Sequence, residues 1–108
     1  MTRIPSYRQP THPGEVLFEE FIKPLGVTQA ELAEWIDVSY PRLNELIHGK
    51  RGVTPDTALR LEKVFGADAQ FWLNLQLAWD LFEAKQSPAA KEIGKIKKHP
   101  ALLASARA

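Results

Sequence analysis

The chain has no cysteine, so neither a disulfide nor thiol chemistry can contribute to its fold or function. Its three histidines, His12, His48 and His99, are far apart in sequence. They stand without neighbouring cysteines or paired carboxylates, which argues against a structural zinc site, and no metal or other cofactor is expected. No apolar run approaches the ~20 residues that a membrane span needs, and the N-terminus lacks the apolar core of a signal peptide. The expectation is a cytoplasmic protein. There is no G-x-x-x-x-G-K-[ST] phosphate loop, and no nucleophile, base and orienting group are clustered. Glu19-Glu20 and Asp56 read instead as helix-surface and first-turn charges, so an enzyme is not expected. No segment shows the strict two-residue alternation of a half-buried strand.

What is present is an ordinary globular composition in 108 residues, 44% hydrophobic and 25% charged, enough for one domain plus tails. The net charge of +1 conceals an asymmetry. Residues 1–83 hold 8 Lys/Arg against 12 Asp/Glu, a balance of −4, whereas residues 84–108 hold 6 against 1, a balance of +5. Any nucleic-acid binding by the body of the chain must therefore come from a local patch, doubled by dimerisation, rather than from a generally basic surface.

Helix signals divide residues 12–84 into five helices. The first begins at His12-Pro13-Gly14-Glu15, with proline at a position that needs no N–H and Glu15 where the helix dipole favours an anion. Leu17, Phe18, Phe21 and Ile22 form its buried stripe, and Pro24 and Gly26 end it. Thr28 and Glu31 spell a capping box for the second, in which Ala30, Leu32, Ala33, Trp35 and Ile36 recur at helical spacing. Asp37, Val38 and Ser39 break that period. Ser39 can cap a third helix with Pro41 in its first turn, Leu43, Leu46 and Ile47 inward, and Gly49 as the positive-φ stop. Thr54-Pro55-Asp56 opens a fourth helix, ended by Gly66, and Asp68 can cap a fifth from about Ala69 to Ala84. The flanks are a flexible arm over residues 1–11, in which Arg3 and Arg8 could touch phosphate or a minor groove, and a lysine-rich tail over residues 85–108.

The second and third helices meet at a tight corner, Thr28 to Gly49, in the layout of a helix-turn-helix whose second helix can enter a DNA major groove. On that helix Arg42 can donate two hydrogen bonds to guanine O6 and N7, and Glu45 can accept from cytosine N4. Asn44 reaches adenine only if the helix is suitably rolled. Tyr40 offers a ring to a thymine methyl and a hydroxyl to phosphate. Ser39, Gln29, Lys50 and Arg51 are the natural phosphate contacts. The fifth helix is apolar most of the way round, which predicts burial on several sides, beyond what so small a domain supplies. Phe71, Trp72, Leu75, Trp79 and Phe82 are accordingly expected to form a homodimer seam or a docking site for another protein.

These stretches resemble the lambda-repressor-like (Xre) helix-turn-helix class and, more narrowly, the HigA-type antitoxins of bacterial type II toxin–antitoxin systems. Beside the corner, the resemblance rests on His12-Pro13-Gly14-Glu15, on TPDTALRLEKVFG at residues 54–66 and on FWLNLQLAWDL at residues 71–81. It covers about residues 12–84. It implies an all-α, five-helix DNA-binding domain that forms a homodimer on a palindromic operator in its own promoter. It also implies a partner, a RelE/HigB-like toxin that cleaves mRNA. By position, Gln29, Ser39, Tyr40, Arg42, Glu45 and Lys50 match places where this class contacts DNA, whereas Pro41 replaces a frequent polar base reader. Two other readings stay open: an orphan helix-turn-helix regulator with no toxin, and an adaptor that binds protein through the Trp72/Trp79 helix.

Overall fold

A computed structural model describes residues 9–102. Among them there is no strand, and the five expected helices are present, followed by a short sixth. Arg3, Arg8 and most of the proposed arm lie outside the described residues. Helix α1 covers residues 13–25 as a continuous run of Pro13–Val16, a π-helical stretch Leu17–Ile22, and Lys23–Leu25. The π turn sits immediately before Pro24, which has no N–H to return to the carbonyl of Glu20, so the wider spacing falls where an α-helical bond cannot form. The remaining elements are α2 Gln29–Trp35, α3 Tyr40–Ile47, α4 Pro55–Phe65, α5 Ala69–Gln86 and α6 Ala89–Ile93. No helix of the described residues is long and apolar enough to cross a membrane.

The caps follow local chemistry. The hydroxyls of Thr28, Ser39 and Thr54 accept from the amides of Glu31, Arg42 and Thr57, each three residues ahead. His12 caps α1 with Nδ1, which accepts from the Gly14 amide at 2.9 Å. Asp68 does not cap α5 with its side chain; the Glu62 carboxylate accepts from the Ala69 amide at 2.9 Å instead, tying the end of α4 to the start of α5. Gly26 and Gly66 close α1 and α4 in the left-handed region. α5 runs past its expected end near Ala84 to Gln86, with Ser87 as C-cap, and part of the lysine-rich tail, Ala89–Ile93, is helical.

The core is built from Leu17 and Ile22 of α1, Leu32, Ala33 and Ile36 around α2, Leu43 and Leu46 of α3, Val53 of the loop before α4, Ala58 and Leu61 of α4, and Trp72 of α5. Phe21 joins the layers, its ring 4.9 Å from Phe65 and 5.1 Å from Trp72. Two expectations change here. Trp35 and Ala30 are not on the buried side of α2, and Trp35 is 80% exposed. The buried arc is set by Leu32, Ala33 and Ile36, and Trp35 and Ala30 lie about 60° beyond its two edges. Trp72 is not on a partner surface: it is wholly buried and is the one residue of α5 counted in the core. A helix apolar on all sides gives its periodicity no face to mark, so the inward residue had to be found by packing.

Candidate nucleic-acid interface

The C-terminal half of α3 is seated directly on the start of α1. A methyl group on Gly14 would lie within bonding distance of the Leu46 carbonyl oxygen, so only glycine permits this approach. His12, 7% exposed, fills the space beside it and packs edge-on against Trp79 with ring centroids 4.9 Å apart. Burial holds its pKa below the ordinary imidazole value, against the opposing pull of Asp80, Glu83 and Glu15. The loop after α3 is pinned from α5, where the Gln76 side-chain carbonyl accepts from the Val53 amide at 2.7 Å. The HPGE stretch and α5 thus fix how far α3 projects.

The other end of α3 is held by charge. Arg42 Nη2 donates to Thr57 Oγ1 at 2.7 Å and to Asp56 Oδ2 at 3.1 Å. Asp56 also accepts from Arg60 Nε at 2.9 Å, and Arg60 Nη1 reaches across to the Ile36 carbonyl at 2.8 Å. The Arg60 and then the Arg42 guanidinium hold the Asp56 carboxyl below its usual range. The corner closed by this network contains Asp37 at φ +58, a left-handed conformation in a residue other than glycine.

With Leu43 and Leu46 inward, helical geometry of about 100° per residue places Pro41, Asn44, Glu45 and His48 on the outward side of α3. Tyr40, 49% exposed, lies at one flank of that face, and Arg42 at the other, turned toward α4. The Asn44 amide nitrogen donates to Gln29 Oε1 at 2.8 Å, linking the outward face of α3 to the start of α2. Ser39 is occupied as a cap, and Lys50 is exposed beside the end of the helix. Arg51 folds back onto α3, where Nε and Nη2 both donate to Glu45 Oε1, at 3.0 and 2.8 Å. The structure therefore gathers all eight expected residues around one helix, but gives Arg42 and Arg51 different surroundings. Sequence reasoning missed the Asp56–Thr57–Arg60 support and the outward place of His48. The second was readable, because His48 continues the Pro41, Asn44, Glu45 spacing; the first joins residues up to 24 apart and needed the fold.

A family model described as helix-turn-helix matches residues 18–72, which include the whole of α2, the corner, α3 and α4. The chain belongs to the helix-turn-helix family. Within it, the chain is 53% identical over 75 residues to virulence-associated protein I of Dichelobacter nodosus, covering 69% of each. It is 39% identical over 79 residues to antitoxin HigA-1 of Vibrio cholerae, covering 72% of this chain and 73% of that one. Among solved structures, the Pseudomonas aeruginosa antitoxin HigA with higBA promoter superposes with a TM-score of 0.77 at 38% identity, over 82% of this chain and 97% of that one. These helix-turn-helix relatives carry two kinds of name, antitoxin and virulence-associated protein.

Proposed function

We propose that the chain is the antitoxin of a type II toxin–antitoxin module, which binds its own operator as a homodimer and neutralises a RelE/HigB-like mRNA-cleaving toxin. The observation that carries this reading is the likeness, over most of both chains, to an antitoxin whose structure holds its promoter. The geometry agrees with it. The body of the chain is acidic, yet Lys50, Arg51 and the capped N-termini of α2 and α3 gather donors around one exposed helix. Residues 12–84 form the DNA-binding unit, with residues 1–11 as an arm and residues 85–108 as a basic tail. Gln29, Ser39, Tyr40, Asn44, Glu45, Lys50 and Arg51 make up its DNA face, with Arg42 at the margin. The chain works in the cytoplasm and has no catalytic role of its own.

The dimer seam is assigned to α5. Leu77 is 57%, Leu81 50% and Phe71 40% exposed, so this 18-residue helix of about 27 Å keeps three large apolar side chains open to solvent. Leu75, Trp79 and Phe82 are half-buried and would add their remaining surface to it. A two-fold axis there would present two α3 helices to half-sites about one DNA turn apart, ~34–36 Å.

The test is to express the short open reading frame adjacent to this gene, alone and together with this protein, and to follow growth and co-purification. Growth arrest by the neighbour, relieved when a stable complex forms, is the expected outcome. No toxicity and no complex would refute the antitoxin role. The second reading, a regulator without a toxin, would then take its place, as the D. nodosus relative, named only as virulence-associated, allows.

A further inference from the structure

We infer that the guanine-reading arginine of this protein is Arg51, in the loop after α3, with Glu45 as its positioning residue, and that Arg42 is a structural arginine of the corner. The inference deepens the proposed DNA-binding function and rests on it.

The argument begins with what the outward face of α3 offers. Its centre is occupied by Pro41, which carries no side-chain donor, and by Glu45, which carries only acceptors. Asn44 gives one of its two amide hydrogens to Gln29, which leaves it one donor where a guanine needs two. Reading a guanine from the major groove requires two parallel donors aimed at O6 and N7, for which an arginine fork is the usual solution. Two arginines stand near the face. Arg42 points away from it, and its Nη2 is shared between Asp56 and Thr57 on α4. Asp56 is in turn tied to Arg60 and so to the corner carbonyl of Ile36. Withdrawing Arg42 toward a base would strip Asp56 and Thr57 of that partner and loosen the corner that orients α3.

Arg51 has the opposite arrangement. Nε and Nη2 converge on a single oxygen of Glu45, a residue of the outward face itself. That contact uses one edge of the guanidinium. The second edge, formed by Nη1 and the remaining Nη2 hydrogen, has no partner among the described residues, and neither has Glu45 Oε2. The pair is about half exposed, so it adds little to stability and is free to meet a ligand. A carboxylate that grips one edge of an arginine leaves the other pre-aimed, which lowers the ordering cost of a bidentate contact. Oε2 can meanwhile accept from a cytosine N4 amine, so the pair presents acceptor and donors together, matching the major-groove edge of a C·G pair.

The test selects bound sequences from a library of random duplexes with the full chain and with Arg51→Ala, Arg51→Lys, Glu45→Gln and Arg42→Ala. The expected result is a guanine position in each wild-type half-site at which Arg51→Ala lowers discrimination roughly tenfold or more. Arg51→Lys should not restore it, because an ammonium has no fork. Glu45→Gln should lower discrimination at the same position while leaving affinity for unrelated DNA equal or higher, an effect that a purely structural role would not produce. Thermal melts of the Arg51 and Glu45 variants should match the wild type. Arg42→Ala should lower the melting temperature yet keep the guanine preference in the cold. Uniform weakening on all sequences by Arg51→Ala, or loss of the guanine preference in Arg42→Ala alone, would overturn the assignment. A wild-type chain that enriches no sequence at all would overturn the DNA-binding reading and this inference together.

Discussion

The two ends of α3 are held by different physics. At the C-terminal end the support is steric and buried: Gly14 lets α1 touch the backbone at Leu46, His12 fills the adjoining space, and Gln76 pins the following loop. At the N-terminal end the support is ionic and exposed: Arg42, Asp56 and Arg60 lace α3, α4 and the corner together. Close packing fails abruptly when an atom is added, because backbone cannot move without moving its neighbours. A surface charge network loosens gradually and answers to salt and pH. The difference suggests that the projection of α3 is fixed by the first contact and its orientation at the corner is trimmed by the second.

The largest effect should come from the steric end. Gly14→Ala sets a methyl group against the Leu46 carbonyl, which cannot swing aside as a side-chain tip could. Overpacking usually costs about 1–3 kcal/mol, and this site should reach or exceed the top of that range. Equilibrium urea denaturation measures it. A cost below about 1 kcal/mol would mean that α1 and α3 separate easily and that the distinction between the two ends is overstated.

His12 offers a reversible version of the same break. Its Nδ1 must stay unprotonated to accept from the Gly14 amide, and burial lowers its pKa from 6.5. The unfolded chain therefore binds the proton first. Stability should be full above pH ~6.5 and decline as pH falls from there to the lowered folded pKa, below which this contribution levels off. His12→Asn retains a good cap without a titrating group, so the slope in that window should disappear from its denaturation midpoints. A wild-type midpoint unchanged between pH 7 and pH 5 would remove His12 from this role.

The ionic end titrates with the same sign but in a lower window. Asp56 has a depressed folded pKa, so its contribution is present above the ordinary carboxylate value and is lost as pH falls through the depressed one. Asp56→Asn should show a smaller melting-temperature loss between pH 5 and pH 3 than the wild type. Its melting temperature should also depend less on added salt, since screening acts on the Asp56–Arg60 and Asp56–Arg42 pairs. Equal acid and salt responses in the two proteins would show that the network contributes nothing measurable.

Most of the fold was legible in the sequence because most of it is decided locally. Thr28, Ser39 and Thr54 each bond an amide three residues ahead, and Gly26 and Gly66 stop helices where the chain must turn left-handed. A periodic pattern can state that a helix has a buried side, but its edges are set by neighbours it does not contain. Trp35, at the edge of the α2 arc, is therefore exposed, and Trp72 had to be singled out among apolar equals by its contact with Phe21. The interface divides the same way. That Tyr40, Arg42, Asn44 and Glu45 escape the apolar side of α3 followed from spacing alone. Which arginine is engaged by α4 and which by α3 depends on pairs 14 and 6 residues apart, whose meeting is a property of the packed fold.

The smallest effect has the opposite sign and probes the corner between the two supports. Asp37 holds φ +58, a region that costs most L residues about 1–2 kcal/mol and aspartate less, because its short side chain can bond nearby backbone. The Arg60 guanidinium, whose Nη1 donates to the Ile36 carbonyl at 2.8 Å and more weakly to that of Asp37 at 3.4 Å, keeps the chain in this conformation. Asp37→Gly removes the steric penalty and leaves both carbonyls in place, while adding the backbone entropy of glycine to the unfolded state. The balance should favour the folded state by up to about 1 kcal/mol. The gain should be larger when Arg60→Ala has already removed the clamp, because an unclamped corner must hold the left-handed residue unaided. A double-mutant cycle of Asp37→Gly and Arg60→Ala in urea reads that coupling directly. Additive costs would mean that Arg60 and the turn conformation are independent, and that the charge network supports α3 without shaping the corner.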